Sequence, residues 1–336
     1  MVNLAMEKHD NLLPAMLVDL VQAPIRWQIV KIAFSQRIFD HLATPITAQD
    51  VATRLGFDAV RCELYLNALC AMGLIEKQQG LFVNRAGYGA FLQSDGEKSM
   101  GDLILHLAKT RHDDLELLLK GGETSAPLDM NRAEHWDGAA KSLFAFHRSV
   151  AGEQMFACLC ELPEWETARH FLDIGAGSSI LAQKIVASHP ARRATIIDLP
   201  PLAQRMTQEQ LADFPARDRI TVMAGDFNHV DLPENQDVIW ASMTLYYARD
   251  LTAVLRRCRQ SLAPGGVFVS FHEELCHERT LPEPHIVGRL IPAMKGNDAS
   301  FDKDQIAQAM RAAGFASISV RMVQTVVGPM AVTMGR

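Results

Sequence analysis

Three acidic residues in the second half of the chain follow apolar segments, at the points where buried strands are expected to end. Asp173 opens the run Asp173-Ile174-Gly175-Ala176-Gly177, Asp198 ends an apolar segment 25 residues later, and Asp226 lies in Gly225-Asp226-Phe227 after a third. The two glycines allow a tight turn and a close approach of the backbone to a ligand ahead of a helix. One such carboxylate alone is more often a solvated strand-end residue, but three at successive strand ends favour a shared ligand.

The chemistry of these residues favours a nucleoside. A carboxylate at the position of Asp198 can accept hydrogen bonds from ribose hydroxyls. Asp226 can accept from an adenine amino group while the ring of Phe227 covers the base. A dinucleotide fingerprint, GxGxxG, would need a third glycine at position 180, where the chain has Ile180. The absence of that glycine disfavours a dinucleotide.

The residues that follow Pro163 show apolar segments alternating with helical ones, which predicts an α/β unit with a parallel sheet covered on both faces. The predicted strands are His170–Ile174, Ala194–Asp198, Ile220–Ala224, Val238–Ala241, Val267–Phe271, Ser317–Val320 and Thr325–Val327.

The N-terminal part predicts three helices and a β-hairpin, which is the winged-helix arrangement. Helical spacing extends from about Leu17 to Leu42, Thr47 precedes a short helix that ends at Leu55-Gly56, and a third helix covers Ala59–Met72. A hairpin around Gln79-Gly80 follows. The third helix offers only Arg61 as a basic side chain, so a structural or dimerising role is favoured over DNA binding.

These patterns predict a winged-helix dimerisation domain over residues 1–95, a helical segment over 96–165 and a catalytic domain over 166–336. In α/β folds the ligand lies beyond the carboxyl ends of the strands, so the helical segment is expected to cover the substrate pocket. Its histidines, aromatic residues and arginine are candidates to line that pocket, and they are His106, Arg111, His112, His135, Trp136, Phe146 and His147.

The composition is that of a folded soluble protein, and its charge favours a small-molecule ligand over a polyanion. Hydrophobic residues make up 48% and charged residues 21%, and the net charge of −6 argues against a nucleic-acid partner. The first residues fit no signal peptide and no apolar stretch of about 18 residues occurs, so a cytoplasmic, non-membrane protein is expected. The six cysteines form no CxxC pair and are expected to be reduced.

The motifs together resemble the two-domain small-molecule O-methyltransferases of the plant caffeate and bacterial antibiotic-tailoring type. The resemblance covers most of the chain and has the family's order and spacing. It is carried by the winged-helix region, Phe171–Gly177, Asp198-Leu199-Pro200, Gly225-Asp226-Phe227, Pro264-Gly265-Gly266 and Ala313-Gly314-Phe315.

The resemblance implies a Rossmann-like class I methyltransferase domain preceded by an α-helical winged-helix dimerisation domain, and a homodimer. It also implies S-adenosylmethionine as the cofactor. The residues expected to bind it are Asp173, Gly175, Gly177, Asp198, Leu199, Asp226 and Phe227.

The chain departs from the family where the general base is expected. Members that deprotonate a phenol carry Leu-His-Asp-Trp after the fourth strand, but this chain places Tyr246 at the histidine's position. The two carboxylates that flank that histidine are also altered, with His272 beside Glu273 near the first and Asp298 near the second. A tyrosine titrates near about 10 and is a poor base at neutral pH.

Catalysis is therefore assigned to Tyr246, His272 and Glu273, with a substrate that is deprotonated by one of the last two, already nucleophilic, or activated by proximity alone. Substrate contacts are expected from His147, Tyr247, His285 and Asp298. Oxygen, nitrogen, carbon or sulfur methylation stays open, as do a redirected hydroxylation or decarboxylation and a non-enzymatic winged-helix ligand sensor. The polar residues between His272 and His285 fit no zinc spacing, and no metal is expected.

Overall fold

The computed structural model describes residues 12–110, 115–122 and 133–336, with the side chains of residues 110 and 133–138 not among them. The chain divides into two compact units, Met1–Arg111 and His112–Arg336. Within the described ranges, no helix has the length and apolar character that a membrane span requires.

The first unit contains helices and a small three-stranded sheet. Its elements are α1 (Leu12–Ser35), α2 (Ile38–His41), β1 (Ile46–Thr47), α3 (Ala48–Leu55), α4 (Ala59–Ala71), β2 (Ile75–Gln78), β3 (Leu81–Asn84), α5 (Gly89–Leu92) and α6 (Gly101–Thr110). The strands lie in the order β1-β3-β2 with antiparallel pairing, so the predicted hairpin is present.

Side-chain caps set where the central helices of this unit begin. Thr47 Oγ1 accepts from the Asp50 amide at 3.1 Å, and Asp58 Oδ1 accepts from the Arg61 amide at 2.9 Å, each satisfying an otherwise unpaired helical N–H group. The prediction of one continuous first helix was wrong, since it is interrupted at Arg37, whose φ of 52° is left-handed.

The second unit is a sheet with helices on both faces. Its elements are α7 (Leu115–Leu119), α8 (Ala133–Phe146), a π-helical turn (His147–Ala151), α9 (Gly152–Cys160), β4 (His170–Ile174), α10 (Ile180–Ala187), β5 (Arg193–Asp198), α11 (Pro200–Arg205), β6 (Ile220–Ala224), β7 (Gln236–Ser242), a 3-10 turn (Leu245–Tyr247), α12 (Leu251–Ser261), β8 (Leu262–His272), β9 (Glu274–Leu275), α13 (Glu283–Met294), β10 (Phe301–Asp302), α14 (Gln305–Ala313), β11 (Ile318–Thr325) and β12 (Gly328–Gly335).

Seven of these strands form one sheet in the order β11-β12-β8-β7-β4-β5-β6. The pairs from β6 through β8 are parallel, as predicted, but β12 pairs antiparallel with both β8 and β11. The last predicted strand, Thr325–Val327, is wrong because that segment ends β11 and makes the turn, and the strand follows it at Gly328–Gly335.

The sheet separates two apolar cores because successive side chains of a strand point to opposite faces. Phe171 packs with the core that contains Trp240 and Val269, whereas its neighbour Leu172 packs with the core that contains Phe268. The strand order reverses between β4 and β7, and the crevice beyond the carboxyl ends at such a switch point is where α/β folds bind ligands.

Candidate active site

The turn from β4 to α10 is built for close backbone approach. Gly175 and Gly177 have φ values of +61° and +68°, and the Gly175 amide donates to the Ile197 carbonyl at 2.8 Å. A Cβ on Gly175 would lie 2.1 Å from Thr244 Oγ1, so a side chain there would be both strained and in collision. The turn therefore requires glycine and leaves its backbone exposed to the crevice.

Asp198, the last residue of β5, fixes this turn. Its Oδ2 accepts from the Gly177 amide at 2.7 Å, and its Oδ1 accepts from the Leu199 amide at 2.8 Å. Burial raises the pKa of Asp198 to about 6, although the two amides oppose the shift. Burial, and then the charge of Asp198, raise the pKa of Asp173 well above its ordinary value. Two buried carboxyl groups next to each other disfavour ionisation of both at once.

The loop after β6 holds Asp226 and Phe227. Asp226 Oδ1 accepts from the backbone amide and the side-chain amide of Asn228, both at 2.8 Å, and Asn228 also donates to the Tyr247 carbonyl at 3.1 Å. Arg257 donates to the Phe227 carbonyl at 2.9 Å. These bonds hold the carboxylate and the aromatic ring of this loop in place.

A cavity of about 260 Å³ lies at the crevice formed by these loops. It is lined by Leu143, Phe146, His147, Gly175, Ala176, Gly177, Asp198, Leu199, Leu202, Gly225, Asp226, Phe227, Asn228, Ser242, Met243, Thr244, Tyr246, Tyr247 and Arg289. Six of the seven expected cofactor residues are among them, and the seventh, Asp173, is buried next to Asp198.

His147 and Tyr247, expected to contact substrate, both line this cavity. His147 Nδ1 lies 2.8 Å from Ser178 Oγ, and burial lowers the pKa of the imidazole to about 4. Burial raises the pKa of Tyr247 to about 12. At neutral pH both side chains are therefore uncharged. Of the other helical candidates, Phe146 lines the cavity, whereas Arg111, His112 and the side chains of His135 and Trp136 lie outside the described residues.

The structure contradicts a base role for His272. The imidazole is fully buried and is not among the cavity-lining residues. Its Nε2 accepts from the amides of Thr244 and Leu245, both at 2.9 Å, and its Nδ1 lies 2.8 Å from Ser270 Oγ. Burial, together with the charge of Arg289, lowers its pKa to about 3. His272 is a neutral acceptor that holds the turn after β7, since its lone pair is used by two backbone amides.

Glu273 also does not reach the cavity. Its side chain is 2% exposed and forms an ion pair with Arg289 Nη2. The guanidinium lies over the ring of Tyr246, 4.7 Å from its centroid, and Nη2 donates to Tyr246 Oη at 3.1 Å. Burial raises the pKa of Tyr246 above its ordinary value. Glu273 therefore positions Arg289 rather than acting as a base, and Tyr246 remains a neutral hydroxyl.

Two other residues expected to contact substrate are instead held by protein partners. His285 Nε2 lies 2.7 Å from the Pro329 carbonyl, and donation to that acceptor ties α13 to the start of β12. Asp298 is an exposed partner of Arg279, with 2.5 Å between Oδ2 and Nη2. Neither residue is among those lining the cavity.

Arg289 is the site residue that sequence reasoning missed. It lies on α13, 43 residues after Tyr246, and no local motif marks it. Ser242 and Asn228 were also missed, although Ser242 ends β7 and Asn228 lies in the loop after β6, where ligand contacts are expected. In the described part of the chain, no three His, Cys, Asp or Glu side chains come together as a metal-binding group.

Comparison with known proteins identifies the class. Residues 172–268 match the family described as a methyltransferase domain. This segment runs from β4 into β8 and so contains the glycine turn, Asp198 and Asp226. The chain is therefore an S-adenosylmethionine-dependent methyltransferase, and the enzyme is favoured over the ligand-sensing alternative.

Two relatives with assigned activities show which enzymes this chain is similar to. The chain is 25% identical over 269 residues to the 3-hydroxy-5-methyl-1-naphthoate 3-O-methyltransferase of Streptomyces sahachiroi, covering 75% of each chain. It is 28% identical over 252 residues to the aclacinomycin 10-hydroxylase RdmB of Streptomyces purpurascens, covering 70% of this chain and 67% of that one.

The fold of this chain is also found in an enzyme of low sequence identity. Human N-acetylserotonin methyltransferase in complex with S-adenosylmethionine has a TM-score of 0.78 at 18% identity, over 97% of this chain and 98% of that one. The resemblance to the two-domain O-methyltransferases is thus confirmed, as is the α/β class I fold that follows a helical N-terminal unit along the chain.

Proposed function

We propose that this methyltransferase methylates an oxygen atom of a small aromatic metabolite, and that it does so by orientation, without a general base of its own. The observation that carries the proposal is Tyr246, a neutral hydroxyl hydrogen-bonded by Arg289, at the position where a base is expected. The aromatic residues Phe146, Tyr246 and Tyr247 on the cavity wall favour a flat substrate. The relative whose name specifies 3-O-methylation of a naphthoate supports the same substrate class.

The residues of the crevice fit S-adenosylmethionine. Gly175 and Gly177 both line the cavity and carry no side chain, which suits close contact of a ligand with the backbone. Ser242 Oγ is buried at the cavity wall without a hydrogen-bond partner among the described residues, so it is available to a ligand. Asp198 would hold the ribose, and Asp226 and Phe227 the adenine. When bound, S-adenosylmethionine supplies an electrophilic methyl group on a sulfonium.

The chain's own residues contribute position and exclusion of water. Tyr246 is held by three neighbours, the rings of Tyr247, His272 and Phe301, at centroid distances of 4.8, 5.6 and 5.8 Å. A rigid wall of this kind can align an acceptor atom with the methyl group. Alignment alone can lower the activation barrier by up to about 7–11 kcal/mol. The acceptor must then arrive already deprotonated or lose its proton to solvent.

A redirected hydroxylation is the second candidate, because one relative is named as a 10-hydroxylase and because the site lacks an ordinary base at Tyr246. The mass of the product distinguishes methylation from hydroxylation. A gain of one methyl group supports the proposal, whereas a gain of one oxygen from the same substrate supports the hydroxylase.

The cofactor assignment is tested by calorimetric titration of the purified protein with S-adenosylmethionine and S-adenosylhomocysteine. Asp226→Ala removes the carboxylate expected to accept from the adenine amino group, so both ligands are expected to bind more weakly by on the order of tenfold or more. Asp231→Ala is the matched control, because Asp231 lies on the same connection but is exposed and is not among the cavity-lining residues. No binding to folded wild type would contradict the proposal.

The N-terminal unit is proposed to pair two copies of the chain. Nine large apolar side chains of α1 are exposed by 40–79% in the single chain, and they are Leu12, Leu13, Met16, Leu17, Val18, Leu20, Val21, Ile25 and Ile32. So many exposed apolar side chains on one helix indicate an interaction site. A second copy is the partner that the resemblance implies.

Val21→Glu is expected to shift the protein from dimer to monomer, because a carboxylate would be desolvated in the interface. Sedimentation velocity over a concentration series measures the change. Val60→Glu on α4 is the control, since Val60 is 71% exposed and Val21 is 79% exposed. A wild-type protein that sediments as a monomer at all concentrations would exclude the pairing.

A further inference from the structure

The neighbours of Tyr246 determine which way its hydroxyl hydrogen points. Arg289 Nη2 donates to Tyr246 Oη, so the oxygen is an acceptor in this contact and its own hydrogen must point elsewhere. Among the described residues, no second partner receives a hydrogen bond from this hydroxyl. Because Tyr246 lines the cavity, a molecule bound there can supply that acceptor.

Arg289 lines the same cavity and is itself held in place by protein partners. Its Nη1 donates to the Ala299 carbonyl at 2.5 Å, and its Nη2 forms the ion pair with buried Glu273. The guanidinium therefore stays over the Tyr246 ring, where its charge polarises the O–H bond toward donation.

The acceptor that suits this donor is an ionised oxygen. Hydrogen bonds to a charged acceptor are stronger than neutral ones. An oxyanion also has lone pairs left to attack a methyl group after it accepts one hydrogen bond. A neutral amine has one lone pair, so accepting from Tyr246 would block its attack.

We infer that Tyr246 donates a hydrogen bond to an ionised phenolate or enolate oxygen of the substrate, and that Arg289 is the positioning residue that directs this donation. The inference rests on the proposed function and deepens it. The site selects an acceptor that is already deprotonated, which removes the need for a base and discriminates oxygen from amine nitrogen.

The test uses the full chain saturated with S-adenosylhomocysteine and 4-nitrophenol as the probe, since ionised nitrophenol absorbs at longer wavelength than the neutral form. We expect the bound probe to be ionised at a pH where the free probe is mainly neutral. Tyr246→Phe should weaken binding by on the order of tenfold or more and shift the spectrum of the bound probe to the neutral form. The isosteric amine 4-nitroaniline should bind both proteins equally.

Arg289→Lys tests the positioning role, because lysine keeps the charge but cannot hold Glu273, Ala299 and Tyr246 with one planar group. The Arg289→Lys variant should still bind S-adenosylhomocysteine, but nitrophenol bound to it should show less of the ionised spectrum. Tyr88→Phe is the matched control for Tyr246→Phe. The guanidinium of Arg85 lies 5.7 Å from the centroid of the Tyr88 ring, but Tyr88 is not among the cavity-lining residues.

The outcomes separate the inference from the proposed function. If S-adenosylhomocysteine fails to bind wild type, the methyltransferase site itself is wrong. If it binds but Tyr246→Phe retains full affinity for ionised nitrophenol, or the loaded wild type does not bind nitrophenol, the inference about Tyr246 is overturned and the cofactor assignment stands.

Discussion

Arg289→Met is expected to lower the free energy of unfolding by about 3–5 kcal/mol, because breaking a buried ion pair leaves an uncompensated charge. Glu273, whose side chain is 2% exposed, is the charge that would be stranded. The ion pair also links α13 to the end of β8, so its loss frees Tyr246 from the contact that orients it. Methyl transfer is expected to fall together with stability.

Chemical denaturation followed by tryptophan fluorescence measures the first effect, since Trp165 and Trp240 are buried in this unit. The double variant Arg289→Met/Glu273→Leu is the informative control, because replacing both members of a buried pair by apolar residues is often neutral. It should recover most of the stability without recovering the ionised spectrum of bound nitrophenol. A loss below about 1 kcal/mol in the single variant would show that the pair behaves as an exposed one.

His272→Ala is expected to cost about 2–4 kcal/mol of unfolding free energy at neutral pH, from two unsatisfied backbone amides and a cavity in the core. The amides belong to Thr244 and Leu245, at the turn that carries Tyr246. Thr244 also lies against Gly175, so cofactor affinity should fall as well. His285→Ala is the matched comparison, with one hydrogen bond at stake and a smaller expected loss.

The pH dependence of this variant has a defined sign. His272 has a pKa of about 3 in the folded chain, below the value of an unfolded histidine, so its stabilising contribution is complete above the unfolded pKa. That contribution is lost as the pH falls from about 6.5 toward the folded value. The destabilisation by His272→Ala should therefore be larger at about pH 7.5 than at about pH 4.5. A difference that grows on acidification would contradict the neutral assignment.

The elements of the cofactor site could be predicted from the sequence because their signals are local. A positive φ at Gly175 and Gly177 demands glycine next to a strand, and a carboxylate at the end of β5 or after β6 lies within a few residues of the strand that positions it. Parallel strands then bring their carboxyl ends to one edge whatever the loops between them contain. Helix caps at Thr47 and Asp58 are local in the same way.

The substrate side of the site was decided by tertiary structure. The position of His272 and Glu273 after the fifth strand, near that of a family carboxylate, suggested that one of them could serve as a base. The packing of β8 against β7 instead buries the imidazole, and its lone pair accepts from two amides. His285 and Asp298 have polar side chains that suit a pocket, yet α13 and its following loop direct them to Pro329 and Arg279.

Sequence alone determined the glycine turn, the acidic strand ends and most strands of a parallel sheet, since turn chemistry and strand periodicity are properties of adjacent residues, and the family resemblance supplied the cofactor. Only the tertiary structure brought Arg289 to Tyr246, 43 residues away, and turned a tyrosine at the base position into an oriented donor. The direction of a hydroxyl depends on which distant group occupies its lone pair, and no spacing within the chain encodes that contact.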